Sequence, residues 1–282
     1  MEILRECRLC PRMCGVNRLL GEVGFCRAGD LARVAAVSVH HGEEPPISGT
    51  RGSGTVFFSH CNMSCLFCQN YPISQMGVGD SLTAGELGES LIRLESKGVH
   101  NVNFVTPTPH VPQLIEGLLA AREKGFALPV VYNTNGYDSL ETLSILDGVV
   151  DIYLPDMKYR SMDLAGRASD TPDYPENNAR AISEMFRQVG PLSMGKDGIA
   201  TRGVLIRHLV LPGQAEDTER TLLFLRNEYG RRVPLSLMGQ YFPAHRAMSV
   251  PGFDRKLGAE EYERAVETAR RMGLTDVSIQ EM

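Results

Sequence analysis

Ser59-His60-Cys61-Asn62-Met63-Ser64-Cys65-Leu66-Phe67-Cys68-Gln69-Asn70 decides how this chain is read, because three cysteines fall within eight residues. Positions 61, 65 and 68 would share one helix face at i, i+4, i+7, so small thiols buried on a core helix are one reading. The flanks argue against it. Gly52 and Gly54 open the segment, Asn70 and Pro72 close it, and the stretch between is too rich in Ser and Asn for a core helix. The other reading is a ligand loop. Each iron of a cubane iron-sulfur cluster needs one ligand beyond the inorganic sulfides, so three clustered thiolates would leave one iron open to a substrate or cofactor.

Outward from this loop the chain alternates β-branched runs with amphipathic stretches, the rhythm of parallel βα units. Gly54 to Ser59 reads as a first strand whose C-terminal end carries the cysteine loop. Thr83 to Lys97 reads as a helix, with Thr83 as N-cap, Glu86 three residues on and Gly98 as its stop. Strands are expected at 101–105, 129–133, 150–154, 203–210 and 233–237, and helices at 111–124, 138–146, 174–189, 216–228 and 258–272. Six strand-helix pairs predict an α/β fold, a partial (β/α)6 barrel over residues 51–282 with its chemistry at the C-terminal strand ends. Residues 1–50 form a small cysteine-rich metal-binding segment in this reading, and 160–174, rich in Asp, Ser and Arg, a mobile loop.

Composition bounds the function classes. A chain of 282 residues with 43% hydrophobic content suits one large domain plus an appendage, and excludes fibrous and disordered classes. The charged start Met-Glu-Ile-Leu-Arg-Glu is followed by no long apolar run, which predicts a cytoplasmic protein without a membrane span. A formal charge of -5 with no long basic block predicts no nucleic-acid partner. All seven cysteines fall in the first quarter of the chain, which favours metal ligation over a disulfide framework.

Cys7, Cys10, Cys14 and Cys26 make a second group, C-x2-C-x3-C-x11-C, with turns at Pro11, Gly15, Gly21 and Gly24. Four thiolates close a coordination shell, so this group would hold metal for structure or electron relay; a second [4Fe-4S] cluster and zinc both fit. Arg8, Arg12 and Arg27 beside these cysteines are expected to lower the thiol pKa.

The C-x3-C-x2-C spacing with Phe67 before the third cysteine resembles the signature of the radical S-adenosylmethionine (SAM) superfamily. From Glu44-Pro45-Pro46-Ile47-Ser48-Gly49 through the last helix, the chain resembles more narrowly the homologues of pyruvate formate-lyase activating enzyme, in the branch with an N-terminal cysteine-rich segment. Val131-Tyr132-Asn133-Thr134-Asn135-Gly136 is similar to the Asp-Thr-Asn-Gly motif of those enzymes, and Asp156-Met157-Lys158 matches their Asp-x-Lys motif. Arg207-His208-Leu209-Val210-Leu211-Pro212-Gly213 is similar to their strand-to-Pro-Gly segment. The resemblance implies a [4Fe-4S] cluster on Cys61, Cys65 and Cys68 whose open iron chelates SAM, with Phe67 near the adenine. It implies a SAM site lined by Asn70, Thr106, Thr108, Asn133, Thr134, Asn135, Asp156, Lys158 and His208. It further implies a flavodoxin or ferredoxin reductant and a 5′-deoxyadenosyl radical that abstracts hydrogen from a protein or peptide, with glycyl radical activation as the first expectation. Radical modification of another peptide or a small molecule is the second, and a non-catalytic Fe-S electron-transfer protein the third.

The chain also departs from those enzymes. Thr106-Pro107-Thr108-Pro109-His110 stands where they carry the Gly-Gly-Glu that binds the SAM amino group, Asn133 replaces the Asp of a cation site, and His60 stands where Gly is common. Apart from the cysteines, each of these motifs also reads blandly: Asn133 to Gly136 as a turn, Asp156 and Lys158 as a surface pair, His208 as structural, and Tyr241-Phe242-Pro243-Ala244-His245 as a packed turn.

Overall fold

The structure, a computed structural model, describes residues 2–280. Its strands are β1 (Ala32–His40), β2 (Ser53–Phe58), β3 (Asp80–Leu82), β4 (Val102–Val105), β5 (Val130–Thr134), β6 (Ile152–Pro155), β7 (Ser193–Met194), β8 (Ala200–Val204), β9 (Ile206–Leu209), β10 (Leu235–Met238) and β11 (Val277–Ile279). Its helices are α1 (Pro45–Ser48), α2 (Tyr71–Ser74), α3 (Ala84–Glu95), α4 (Val111–Arg122), α5 (Leu140–Leu146), α6 (Met162–Ser169), α7 (Tyr174–Val189), α8 (Ala215–Tyr229) and α9 (Ala259–Arg271). Thr83 caps α3 in the expected capping box with Glu86.

Strands β2, β4, β5, β6 and β8 pair in parallel in one sheet of order β3-β1-β2-β4-β5-β6-β8-β7, and β9, β10 and β11 form a second parallel sheet. The two meet where Asp156, just past β6, bridges in parallel to Arg207 of β9, and Met157 N–H donates to Arg207 O at 2.8 Å. The result is the expected partial barrel. Strand β1, inside the 1–50 segment, pairs antiparallel with β2, so the N-terminal segment adds to the barrel sheet. The main core fills the space between sheet and helices with Val56, Phe58, Leu87, Leu91, Phe104, Leu114, Val130 and Leu143, and takes in Leu4 and Leu9 from the N-terminal segment.

Two sequence expectations are corrected. The stretch 203–210 is not one strand: β8 pairs with β6 while β9 pairs with β10, and the chain changes sheets at Leu205. Two residues before the change, Gly203 has φ 117 and packs against the Pro191 carbonyl, a place with no room for a Cβ. The supposed mobile loop 160–174 holds α6, capped by Ser161, with Leu164, Ala165, Ala168 and Ser169 buried. Its Asp and Arg residues form the outer face of an amphipathic helix, a pattern that composition alone misreads.

Beneath the cysteine loop lies His110, fully buried, bonded through Nε2 to Ser59 O at 2.8 Å and stacked on Phe58 with centroids 5.2 Å apart. Burial pushes its pKa down to about 3. The folded chain therefore refuses a proton that the unfolded chain takes near pH 6.5, so stability is lost as the pH falls below that value. The fall in the urea midpoint between about pH 7 and about pH 5 becomes shallower in His110→Gln, an amide that does not titrate there. Gly203→Ala, which forces a side chain into both the clash and the left-handed backbone, costs at least about 1–3 kcal/mol in urea unfolding.

Candidate active site

The cysteine loop leaves β2 through His60, whose φ of 71 is a left-handed conformation unusual outside glycine. Backbone bonds then hold the loop: Ser64 N–H to Ser169 O (3.1 Å), Leu66 N–H to Ala168 O (2.8 Å), and Ala247 N–H to Leu66 O (2.8 Å). Arg246 adds Nη2 bonds to Ser64 O (2.5 Å) and Oγ (2.9 Å).

Held this way, all three thiols receive polar neighbours. Asn135 Nδ2 donates to Cys61 Sγ at 3.3 Å, Ser169 Oγ donates to Cys65 Sγ at 2.9 Å, and Ser74 Oγ lies 3.2 Å from Cys68 Sγ. Burial raises the Cys61 and Cys65 thiols, with mutual repulsion among the cysteines adding to it; Asn135 opposes at Cys61, and Lys158 and Ser169 at Cys65. Three clustered sulfurs whose thiolates would repel one another, each beside a polar neighbour, fit a cationic group that would take them all as thiolates.

Cys65 and Cys68 open onto a cavity of about 200 Å³ at the C-terminal strand ends, shared with Phe67, Asn70, Asp156, Lys158, Arg207, Gln240 and Phe242. Phe67 is wedged between Tyr241 (centroids 5.5 Å) and Phe253 (6.5 Å). Lys158 Nζ donates to Asp156 Oδ2 at 2.5 Å, and Arg207 donates to Asp156 Oδ1 at 2.8–2.9 Å and to Asn133 Oδ1 at 2.7 Å. Glu43 joins through Asn133 Nδ2 (3.1 Å) and lies 3.6 Å from Arg207 Nη1. Burial pushes the Asp156 carboxyl up, but Arg207 and Lys158 outweigh it and hold the carboxyl below its usual range. For Lys158, burial is likewise outweighed by Asp156 and Cys65, so the amine stays protonated.

Several expected site residues have other duties. His208 is buried, with Nδ1 2.7 Å from Met157 O and Nε2 3.1 Å from Thr218 Oγ1, because strand alternation turns it towards α8 and Arg207 into the cavity. Thr108 and Thr134 both donate to the fully buried Asp138 carboxylate, at 2.7 and 2.6 Å, joined by Tyr132 OH at 2.8 Å. Their hydroxyls are committed inside the barrel. Thr106 turns the chain with φ 57, its N–H bonded to Asn133 O at 3.0 Å, a second left-handed backbone at a non-glycine residue. Asn133 is tied to Arg207 and Glu43, and Asn135 faces Cys61. The Tyr241–His245 segment does two things: Tyr241 packs on Phe67 and bonds Phe253 O, while Phe242 is half exposed at the cavity mouth.

Arg207 and Glu43 escaped the sequence reading. A strand-end Arg in the Arg207-His208 pair and the acidic run before Pro45 were the available signals. Ser169 escaped too, because its segment looked like loop.

Cys7, Cys10, Cys14 and Cys26 line a second cavity together with Arg12, Arg18, Phe25 and Asn62. The backbone at Arg12 and Ala28 favours the thiolates of Cys10 and Cys26, and Gly24 approaches so closely that a Cβ would lie 2.8 Å from Cys14 Sγ. The expected lowering by Arg8, Arg12 and Arg27 is corrected. Burial dominates, pushing Cys10 up to about 12 and Cys26 up as well. Arg8 pairs with Glu6, Arg12 donates to the Asn62 and Asp170 carbonyls, and the cation opposing the rise at Cys26 is the buried Arg18. Among the described residues no three His, Cys, Asp or Glu side chains converge on one ion position.

Among the described residues no helix is long and apolar enough to cross a membrane. The chain is 32% identical over 282 residues to uncharacterized protein MJ0674 of Methanocaldococcus jannaschii, covering 96% of this chain and 76% of that protein. It is 26% identical to uncharacterized protein MJ0808 of the same organism, over 87% and 73% of the two. The fold matches Streptococcus suis SuiB bound to S-adenosylmethionine with TM-score 0.52 at 14% identity, over 78% of this chain but 48% of SuiB. It matches anSMEcpe with bound AdoMet with TM-score 0.53 at 11% identity, over 77% and 58%. The family model of the radical SAM superfamily covers residues 55–225, from β2 and its cysteine loop into α8, and the chain belongs to that superfamily.

Proposed function

We propose that this chain cleaves SAM reductively, with Cys61, Cys65 and Cys68 holding a [4Fe-4S] cluster. A cluster and SAM bound there would supply the electron transfer that gives methionine and a 5′-deoxyadenosyl radical. The observation that carries the reading is the single cavity in which Cys65, Cys68 and Phe67 meet the charged set Asp156, Lys158 and Arg207. Lys158, kept protonated, offers a cation to a carboxylate, and ionised Asp156 accepts from hydroxyls such as those of a ribose. Phe67, Leu209, Met238 and Tyr241 supply an apolar wall that excludes water from a reactive radical. Asn70 lines the same cavity and would border SAM, and Asn133 would act on it through Arg207.

The substrate we favour is a protein or peptide. SuiB is known bound to a precursor peptide and anSMEcpe bound to a peptide, and the mouth here carries exposed Phe242 beside Gln69 and Gln240, groups suited to a peptide backbone. Glycyl radical activation is the first such reaction, and radical modification of another peptide or a small molecule the second. A flavodoxin or ferredoxin would supply the electron, and the four N-terminal cysteines would hold a second cluster or zinc.

Anaerobic reconstitution with iron and sulfide, followed by dithionite and SAM, should yield 5′-deoxyadenosine. The Cys61→Ala/Cys65→Ala/Cys68→Ala variant should lose about four irons per chain and all cleavage; cleavage that survives would sink the assignment. Arg207→Ala leaves Asp156 and Glu43 without their shared cation. It should cost about 3–5 kcal/mol of folding stability and weaken SAM binding in a titration. Unchanged SAM affinity would remove Arg207 from the site.

A further inference from the structure

Asn62, 1% exposed, lies between the two cysteine groups. Its side chain lines the four-cysteine cavity beside Cys10, where its polar end favours the thiolate. On the other side its Oδ1 accepts from Asn135 Nδ2 at 2.7 Å, and the same Nδ2 lies 3.3 Å from Cys61 Sγ; Cys61 Sγ is 3.8 Å from Asn62 Oδ1. Asn62 is also held at both ends, with Nδ2 bonded to Tyr137 O (2.6 Å) and its carbonyl accepting from Arg12 Nε (3.0 Å). One side chain and one residue step thus join a ligand of the first group to a ligand of the second.

The charges around the four-cysteine cavity favour adding an electron. Arg18, 1% exposed, donates to Gly29 O and Pro109 O and brings Nη1 to 4.0 Å from Cys7 Sγ. Arg12 lies across the Phe25 ring at 3.5 Å on the cavity wall. A guanidinium beside a thiolate-ligated centre stabilises its more negative, reduced form, most strongly where it is buried as in Arg18 and less where it is half-buried as in Arg12. Access differs in the same sense: Cys14 is exposed, while the other three are partly covered. The cavity at Cys65 and Cys68 is the place for SAM and substrate, so a carrier docking there would compete with them.

We propose that the four-cysteine centre is a redox-active iron-sulfur cluster that delivers electrons to the Cys61/Cys65/Cys68 centre through Asn62; this rests on the SAM-cleavage reading above. One electron enters from an external low-potential one-electron carrier, and the same electron leaves for the three-cysteine centre. No bond breaks and no proton moves in this step.

The test begins with the reconstituted wild-type chain. It should carry about eight irons and, once fully reduced by dithionite, give a paramagnetic resonance spectrum broadened by spin coupling between two nearby clusters. Cys10→Ser/Cys14→Ser should lose the coupling, leaving the single narrow signal of the other centre. Asn62→Leu should keep its iron, but reduction of the three-cysteine centre by photoreduced flavodoxin should slow several-fold, and reduction by dithionite should not. Stoichiometric zinc with about four irons, or two clusters with independent signals and unaltered flavodoxin kinetics in Asn62→Leu, would overturn the proposal. If Asn62→Leu fails to load iron, the wild-type coupling and the double-serine variant decide. Coupled clusters in a protein that never cleaves SAM would instead count against the catalytic reading alone.

Discussion

A loop that presents three sulfurs has little regular structure of its own to hold them, and its shape depends on backbone hydrogen bonds from elsewhere in the chain. Residues 64 and 66 donate to the end of α6, and Leu66 O accepts from Ala247. These clamps lie more than 100 residues away in sequence. Ser169 both closes one clamp and donates to Cys65, so the helix that fixes the loop also tunes one of its sulfurs. Preorganised donors at a metal ligand set its basicity and orientation, and they work only if their own backbone is rigid.

The seam between the two sheets has the same double character. Gly203, near the end of β8, holds a backbone conformation that side chains rarely adopt, tight against Pro191, and past Leu205 β9 runs beside the end of β6. That shift brings Arg207 against Asp156 and Asn133 and places a guanidinium in the barrel. Buried ion pairs contribute little net stability once desolvation is counted, but they are specific in geometry. Here the pairing fixes how two sheets meet and keeps Asp156 ionised beside Lys158.

The N-terminal segment is built into the barrel. Leu4 and Leu9 enter the main core, β1 pairs with β2, and Thr142 and Gln113 bond the Leu9 and Asp30 carbonyls. Beneath it, Asp138 is fully buried and receives three hydroxyl donors, yet burial still raises its pKa. This knot stiffens the ends of β4 and β5, and it occupies Thr108 and Thr134, which the motif resemblance had assigned to SAM.

The sequence by itself determined the strand-helix alternation, the two cysteine groups and the Asp156-Met157-Lys158 strand end. These are local signals: β-branched runs, capping residues and ligand spacing are written in consecutive residues. It did not determine which strand-end side chains face inward, because a one-residue shift exchanges His208 for Arg207. It did not reveal α6, whose polar face resembles loop composition, or the roles of Glu43, Ser169 and Arg18. Only the tertiary structure decided that Asn62 touches both cysteine groups, since the spacing between Cys10 and Cys61 says nothing about where a folded chain brings them. Non-local hydrogen bonds and buried charge pairs depend on burial, and burial is a property of the packed barrel and not of any segment within it.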